Sequence, residues 1–205
     1  MLDHLRRSAI FVVIAVIFTF AFAYAGTGVS QLFFKHQADG SITANGSTLI
    51  GQNWAAAKCP GHSVGSCVFH GRPDDTGPYA ASKTQSGGDN PLEANGVSGE
   101  SAATNYGPRS KLLLNATIQL IAYWKGLGVD DPTPDLVTTS GSGYDPDITP
   151  QDASVQIPMV SNATGVPASS LAALIKKETH RAELGFLGSD YVNVLQLNEA
   201  LVKLQ

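Results

Sequence analysis

From Ser8 to Phe34 the chain carries no charged side chain, a run of 27 residues that dominates what it can become. Within it, Ala9 to Ala25 is almost wholly apolar. A helix of about 20 such residues crosses a hydrocarbon core of about 30 Å, so this segment can span a bilayer. Arg6 and Arg7 precede it, and Lys35 is the one nearby cation after it. The positive-inside bias therefore predicts a cytoplasmic N-terminus and a main domain on the far side. The competing reading is a cleaved secretory signal, because Ala23-Tyr24-Ala25 is a small-x-small site after a basic start. Apolar character resumes beyond that site at Val29, Leu32, Phe33 and Phe34, which favours an anchor. Either reading predicts an extracytoplasmic body.

Two domains are expected: residues 1–34 as cytoplasmic N-terminus and transmembrane anchor, and residues 35–205 as one α+β domain. Beyond Phe34 the chain holds 11 Lys and Arg against 16 Asp and Glu, a net charge of −5 with His neutral. Such an acidic body has no electrostatic footprint for a phosphate backbone, so nucleic acid is not an expected partner.

Helical periodicity predicts a helix over Ser110 to Lys125, ended by Gly126 and Gly128. Thr149, Pro150 and Asp152 read as N-cap, first-turn proline and capping carboxylate. Pro158 should kink or shorten the next helix, and Pro167 opens another. Tyr191 to Leu195 favours a strand, with Asn198 as a possible cap of a short final helix. Residues 55–108, rich in Gly, Ser, Pro and Asn, read as a long loop.

The chemistry-bearing residues are sparse. Cys59 and Cys67 suit a disulfide outside the cytoplasm. With His62 and His70 they also have ligand-like spacing for zinc, although thiols in an oxidising compartment favour the disulfide. The string Thr138-Thr139-Ser140-Gly141-Ser142-Gly143-Tyr144-Asp145-Pro146 is the most distinctive. Neither Ser140 nor Ser142 has the glycine two residues before it that a nucleophile elbow needs. Pro146 stands where a dinucleotide loop needs its third glycine. The string fits a tight turn: Gly141 and Gly143 for unusual φ, hydroxyls and Asp145 for capping. No acid/base pair, metal triad or phosphate loop is found, so neither catalytic nor metal residues are assigned. An anchored hydrolase on Ser140 or Ser142 would need a base such as His180.

The sequence resembles the C subunit of the bacterial potassium-transporting P-type ATPase, the Kdp system. The residues that carry the likeness are Gly46 to Gln52 with Gly51 and Gln52 at its end, Gly71-Arg72-Pro73, and Asn105-Tyr106-Gly107-Pro108. Then follow Asp135 to Pro146, Thr149-Pro150-x-x-Ala153, and Val192 to Asn198, which includes Asn193 and Asn198. Asp147 departs from the family pattern, which usually has histidine there, and the cysteine segment looks like a local elaboration. The resemblance implies a non-catalytic, single-pass subunit in the inner (plasma) membrane, in contact with lipid. Its implied partners are a potassium-selective channel-like subunit, a P-type catalytic subunit and a small single-span subunit. It implies roles in assembly, stability and ATP affinity. The complex would use ATP, Mg and potassium, with none assigned to this chain directly. A stand-alone anchored module binding a small ligand is the alternative.

Overall fold

The computed structural model describes residues 2–52, 54, 57–73 and 105–205. The chain divides into two compact units, Met1–Ala44 and Asn45–Gln205.

The first unit is dominated by α1 (Leu2–Phe33), 32 residues with none buried. At 1.5 Å per residue it is about 48 Å long, more than a hydrocarbon core requires. Its two threonines do not break it, because Thr19 and Thr27 donate their hydroxyls to the carbonyls of Ala15 and Ala23 one turn back. The helix is interrupted at Phe34, and a single turn, α2 (Lys35–Ala38), follows. Gln31 Nε2 donates to Asp39 Oδ1 at 2.9 Å, tying the two helices together.

The second unit mixes helices with a small antiparallel sheet, the α+β class expected from the sequence. Its elements are α3 (Lys111–Gly126), a 3-10 turn at Pro134–Val137, β1 (Asp147–Ile148), α4 (Pro150–Val155), α5 (Ile157–Thr164), α6 (Ala168–Glu178), β2 (Thr179–His180), β3 (Tyr191–Asn193) and α7 (Val194–Val202). The sheet order is β1-β3-β2, with Asp147 opposite Asn193 and Thr179 opposite Val192.

Several helix ends have a local cause. Ser110 accepts from Leu112 N at the start of α3. Thr149 and Asp152 form a reciprocal capping box on α4, with Pro150 in the first turn. Pro158 stands in the first turn of α5, where its missing N–H breaks no ladder, so α4 and α5 are consecutive rather than one kinked helix. Gly165, at φ +74, closes α5. Two sequence expectations are corrected at the C-terminus. The extended stretch ends at Asn193, and Val194 and Leu195 are helical. The cap of α7 is Asn193, whose Oδ1 accepts from Gln196 N, and not Asn198, which lies inside the helix.

The core gathers Leu120 and Trp124 of α3, Leu136, Ile148, Val160, Leu171 and Ile175, and Val192, Leu197 and Leu201. Trp124 is fully buried and donates Nε1–H to the carbonyl of Leu136 at 2.8 Å, so its indole carries no unsatisfied donor.

Candidate functional site

Three separated stretches meet at the Ser140–Pro146 turn, and the contacts are largely backbone. Gly51 N–H donates to Tyr144 O at 2.8 Å. A Cβ on Gly51 would stand 2.8 Å from the carbonyl oxygen of Asp145, so only glycine admits this approach. Gly71 passes the same carbonyl with an ordinary 3.6 Å clearance. Pro146 O accepts from Val194 N at 3.0 Å, which ties the turn to the start of α7. Gln52 Nε2 donates to Ile50 O, holding the 47–52 turn closed.

The turn is stabilised from within. Ser140, buried, accepts from Gly143 N at 2.8 Å, and Ser142 accepts from Tyr144 N at 3.1 Å. Asp145 Oδ1 accepts from Asp147 N at 3.1 Å. Gly143 has φ +75, the left-handed region. Gly141 does not share that region and has open space around its Cβ position, which corrects the expectation that both glycines are needed for their backbone angles.

Arg72 bridges the turn to the 3-10 segment. Its Nη2 donates to Thr139 O at 2.9 Å and lies 3.7 Å from Asp135 Oδ1, while Nη1 lies 3.9 Å from Asp145 Oδ2. These ion pairs are half-exposed and long, so they contribute little energy and mainly fix position. Among the described residues, the buried Arg72 Nε and Trp54 Nε1 meet no hydrogen-bond partner, and both side chains line a cleft of about 30 Å³ beside Asp145 and Val194. That volume admits about one or two water molecules and no organic ligand.

Asn193 extends the clasp in two directions. Its Nδ2 donates to Thr48 O at 2.8 Å and to Asp147 Oδ1 at 2.9 Å. Burial raises the pKa of Asp147, the Asn193 bond opposes that shift, and the charge of Asp145 adds to it. Asn198 is buried and bonds both backbone groups of Phe69: N–H to Oδ1 and Nδ2 to O, each 2.8 Å. Gln156 does the same for His70, accepting from its N–H at 2.8 Å and donating to its carbonyl at 3.0 Å. Two side-chain amides thus supply Phe69–His70 with the pairing that a neighbouring strand would give. Sequence reasoning missed Gln156, since a single glutamine carries no recognisable spacing.

The remaining candidates are placed as follows. Cys59 and Cys67 form a disulfide. His70 is fully buried, contacts Trp124 edge-on and pairs its Nε2 with Gly65 O at 2.7 Å. Burial lowers its pKa to about 4. His62 is exposed, and among the described residues no three His, Cys, Asp or Glu side chains gather in metal-holding range. Asn105 is exposed with left-handed backbone, φ +53. His180 stacks on Tyr191 and lies 3.3 Å from Gln196 Oε1, while the hydroxyl of Ser140 is engaged within its own turn. A broad groove of about 770 Å³ runs between α6 and α7, edged by Lys177, Glu178, Glu199 and Lys203.

A long apolar helix with no buried residue and a small α+β body clasped by backbone-to-backbone loop contacts define a tethered protein whose signature residues are architectural. The chain belongs to the KdpC family: the profile described as "KdpC: K+-transporting ATPase, c chain" matches residues 5–203. It is 37% identical over 214 residues to the potassium-transporting ATPase KdpC subunit of Methylorubrum extorquens, spanning all of this chain and 98% of the relative. It is 36% identical to the KdpC subunit of Bacillus mycoides over 97% of both chains. Identity to the Caulobacter vibrioides subunit is 37%, over 98% of this chain and 93% of the relative. The chain is therefore an accessory part of a potassium-transporting ATPase, a complex with further subunits.

Proposed function

We propose that this chain is the non-catalytic, membrane-anchored subunit of an ATP-driven, high-affinity potassium uptake pump. In this reading α1 spans the inner membrane with its N-terminus in the cytoplasm, and the α+β body stands on the extracytoplasmic side. The body supports assembly and stability of the complex with a channel-like subunit, a P-type catalytic subunit and a small single-span subunit. It raises the ATP affinity of the catalytic subunit through those partners, because a body across the membrane from ATP can act on it only by coupling. The observation that carries the proposal is a family match that runs through anchor and body alike. Arg6 and Arg7 before the apolar run support the orientation.

The test is affinity purification from membranes through a tag on this chain. Copurification of two large polytopic proteins is expected, one of them an ATPase. Recovery of the chain by itself would favour the alternative, an anchored small-ligand module. The groove between α6 and α7 is the feature that suits that alternative, since its volume lies in the range of ligand sites.

A further inference from the structure

Between β2 and β3 the chain turns through Glu183-Leu184-Gly185-Phe186-Leu187, and its apolar side chains are largely uncovered among the described residues. Leu184 is 80% exposed, Phe186 74% and Leu187 52%. Scattered exposed leucines need no explanation, but three large apolar residues within four positions at the tip of one turn do.

The tip is a built structure. Glu183 and Leu187 exchange two backbone hydrogen bonds of 2.9 Å, and Gly185 N–H donates to Ala182 O at 2.9 Å. Asp190 Oδ1 accepts from Ala182 N at 2.9 Å, bracing the base. Gly185 and Gly188 take left-handed angles, φ +80 and +83, as glycine does readily. Leu184 takes one too, at φ +54, a conformation that a branched side chain resists. The turn therefore holds an unfavourable backbone angle and displays apolar side chains to water, and both are costs to the chain on its own.

We infer that Leu184, Phe186 and Leu187 form a preformed plug that docks into an apolar pocket on a partner subunit of the pump. The inference rests on the pump-subunit reading above. A protein pocket is favoured over the bilayer on two grounds. A fluid interface gains nothing from a fixed tip, whereas a shaped pocket binds a preorganised one at lower entropic cost. The tip is also flanked by the carboxylates of Glu183 and Asp190, with Arg181 the one cation from 181 to 191. Anionic headgroups would repel that pair, and a basic rim around the partner's pocket would complement it. Phe186 supplies an aromatic ring of the kind enriched in the buried core of protein interfaces.

The experiment coexpresses the full chain with its partner subunits and purifies the complex through a tag on the ATPase subunit. Wild type, Phe186→Asp and Phe186→Trp are compared for the amount of this chain retained. The melting temperature of each variant, purified separately in detergent, is measured alongside. Retention of Phe186→Asp is expected to fall by roughly tenfold or more at unchanged melting temperature, with Phe186→Trp retained near the wild-type level. Full retention of Phe186→Asp overturns the plug. A lowered melting temperature for Phe186→Asp also overturns it, by showing that the tip packs within its own chain. So does quenching of the added Phe186→Trp fluorescence by brominated lipid without partners, which assigns the tip to the bilayer. Failure to retain even wild type contradicts the pump-subunit reading itself, and the plug with it.

Discussion

At the scale of single residues, the Ser140–Pro146 turn separates side chains that look equivalent in sequence. Gly143 occupies left-handed backbone and is buried, whereas Gly141 does neither. Gly143→Ala should cost about 1–2 kcal/mol and Gly141→Ala close to nothing, as read by chemical denaturation. The two serines divide in the same way. Ser140 is buried and caps Gly143 N, so its replacement by alanine orphans a buried donor, while Ser142 lies at the exposed side of the turn. His70 supplies a pH-dependent term. Its folded-state pKa of about 4 lies below the ordinary 6.5 because burial disfavours the imidazolium. The unfolded chain therefore takes up this proton first on acidification. The contribution of neutral His70 is complete above pH 6.5 and is lost as pH falls from 6.5 towards 4, a total of about 3 kcal/mol. His70→Gln, which can still donate to Gly65 O, should show a stability profile flatter by that amount over the window. Parallel profiles for the two proteins would refute the assignment.

At the scale of elements, sequence patterns located most helices because their stop and start signals are local. Ser110, the Thr149-Pro150-Asp152 box and the periodicity of α3 lie within a few residues of what they control. Asn193 and Asn198 were harder to separate. Each is an asparagine near a helix start, and which one caps depends on where β3 releases the chain, a decision made by pairing with Asp147. The clasp was legible only as a set of unusual strings. That Gly51 meets the Asp145 carbonyl, or that Gln156 and Asn198 serve Phe69–His70, depends on long-range approach that no local spacing encodes. The amide pair gives a sharp test. Asn198→Leu leaves both backbone groups of Phe69 buried without partners, so a loss of about 2–4 kcal/mol is expected in thermal or denaturant unfolding. Thr149→Ala, which removes one side of the capping box on α4, should cost about 1 kcal/mol. The Cys59–Cys67 bond closes a loop of eight residues' separation, and its reduction should lower stability by about 2–3 kcal/mol.

At the scale of the whole molecule, a 27-residue charge-free run sets the architecture: it must be shielded from water, and α1 buries none of its residues within the protein. A lipid environment is the physical solution for a helix of that kind. The residues that identify the family hold one loop against three others, and the exposed apolar turn at 184–187 is offered to a partner. On the proposed reading such a subunit acts by contact, and its effect on the pump should be separable from the chemistry of ATP hydrolysis. The most direct measurement is potassium-stimulated ATP hydrolysis by the purified pump assembled with and without this chain, at matched amounts of catalytic subunit. The account predicts that omission raises the ATP concentration needed for half-maximal rate and shortens the lifetime of the complex, and that adding back the full chain restores both. Identical ATP dependence and identical complex lifetime in the two preparations would contradict it.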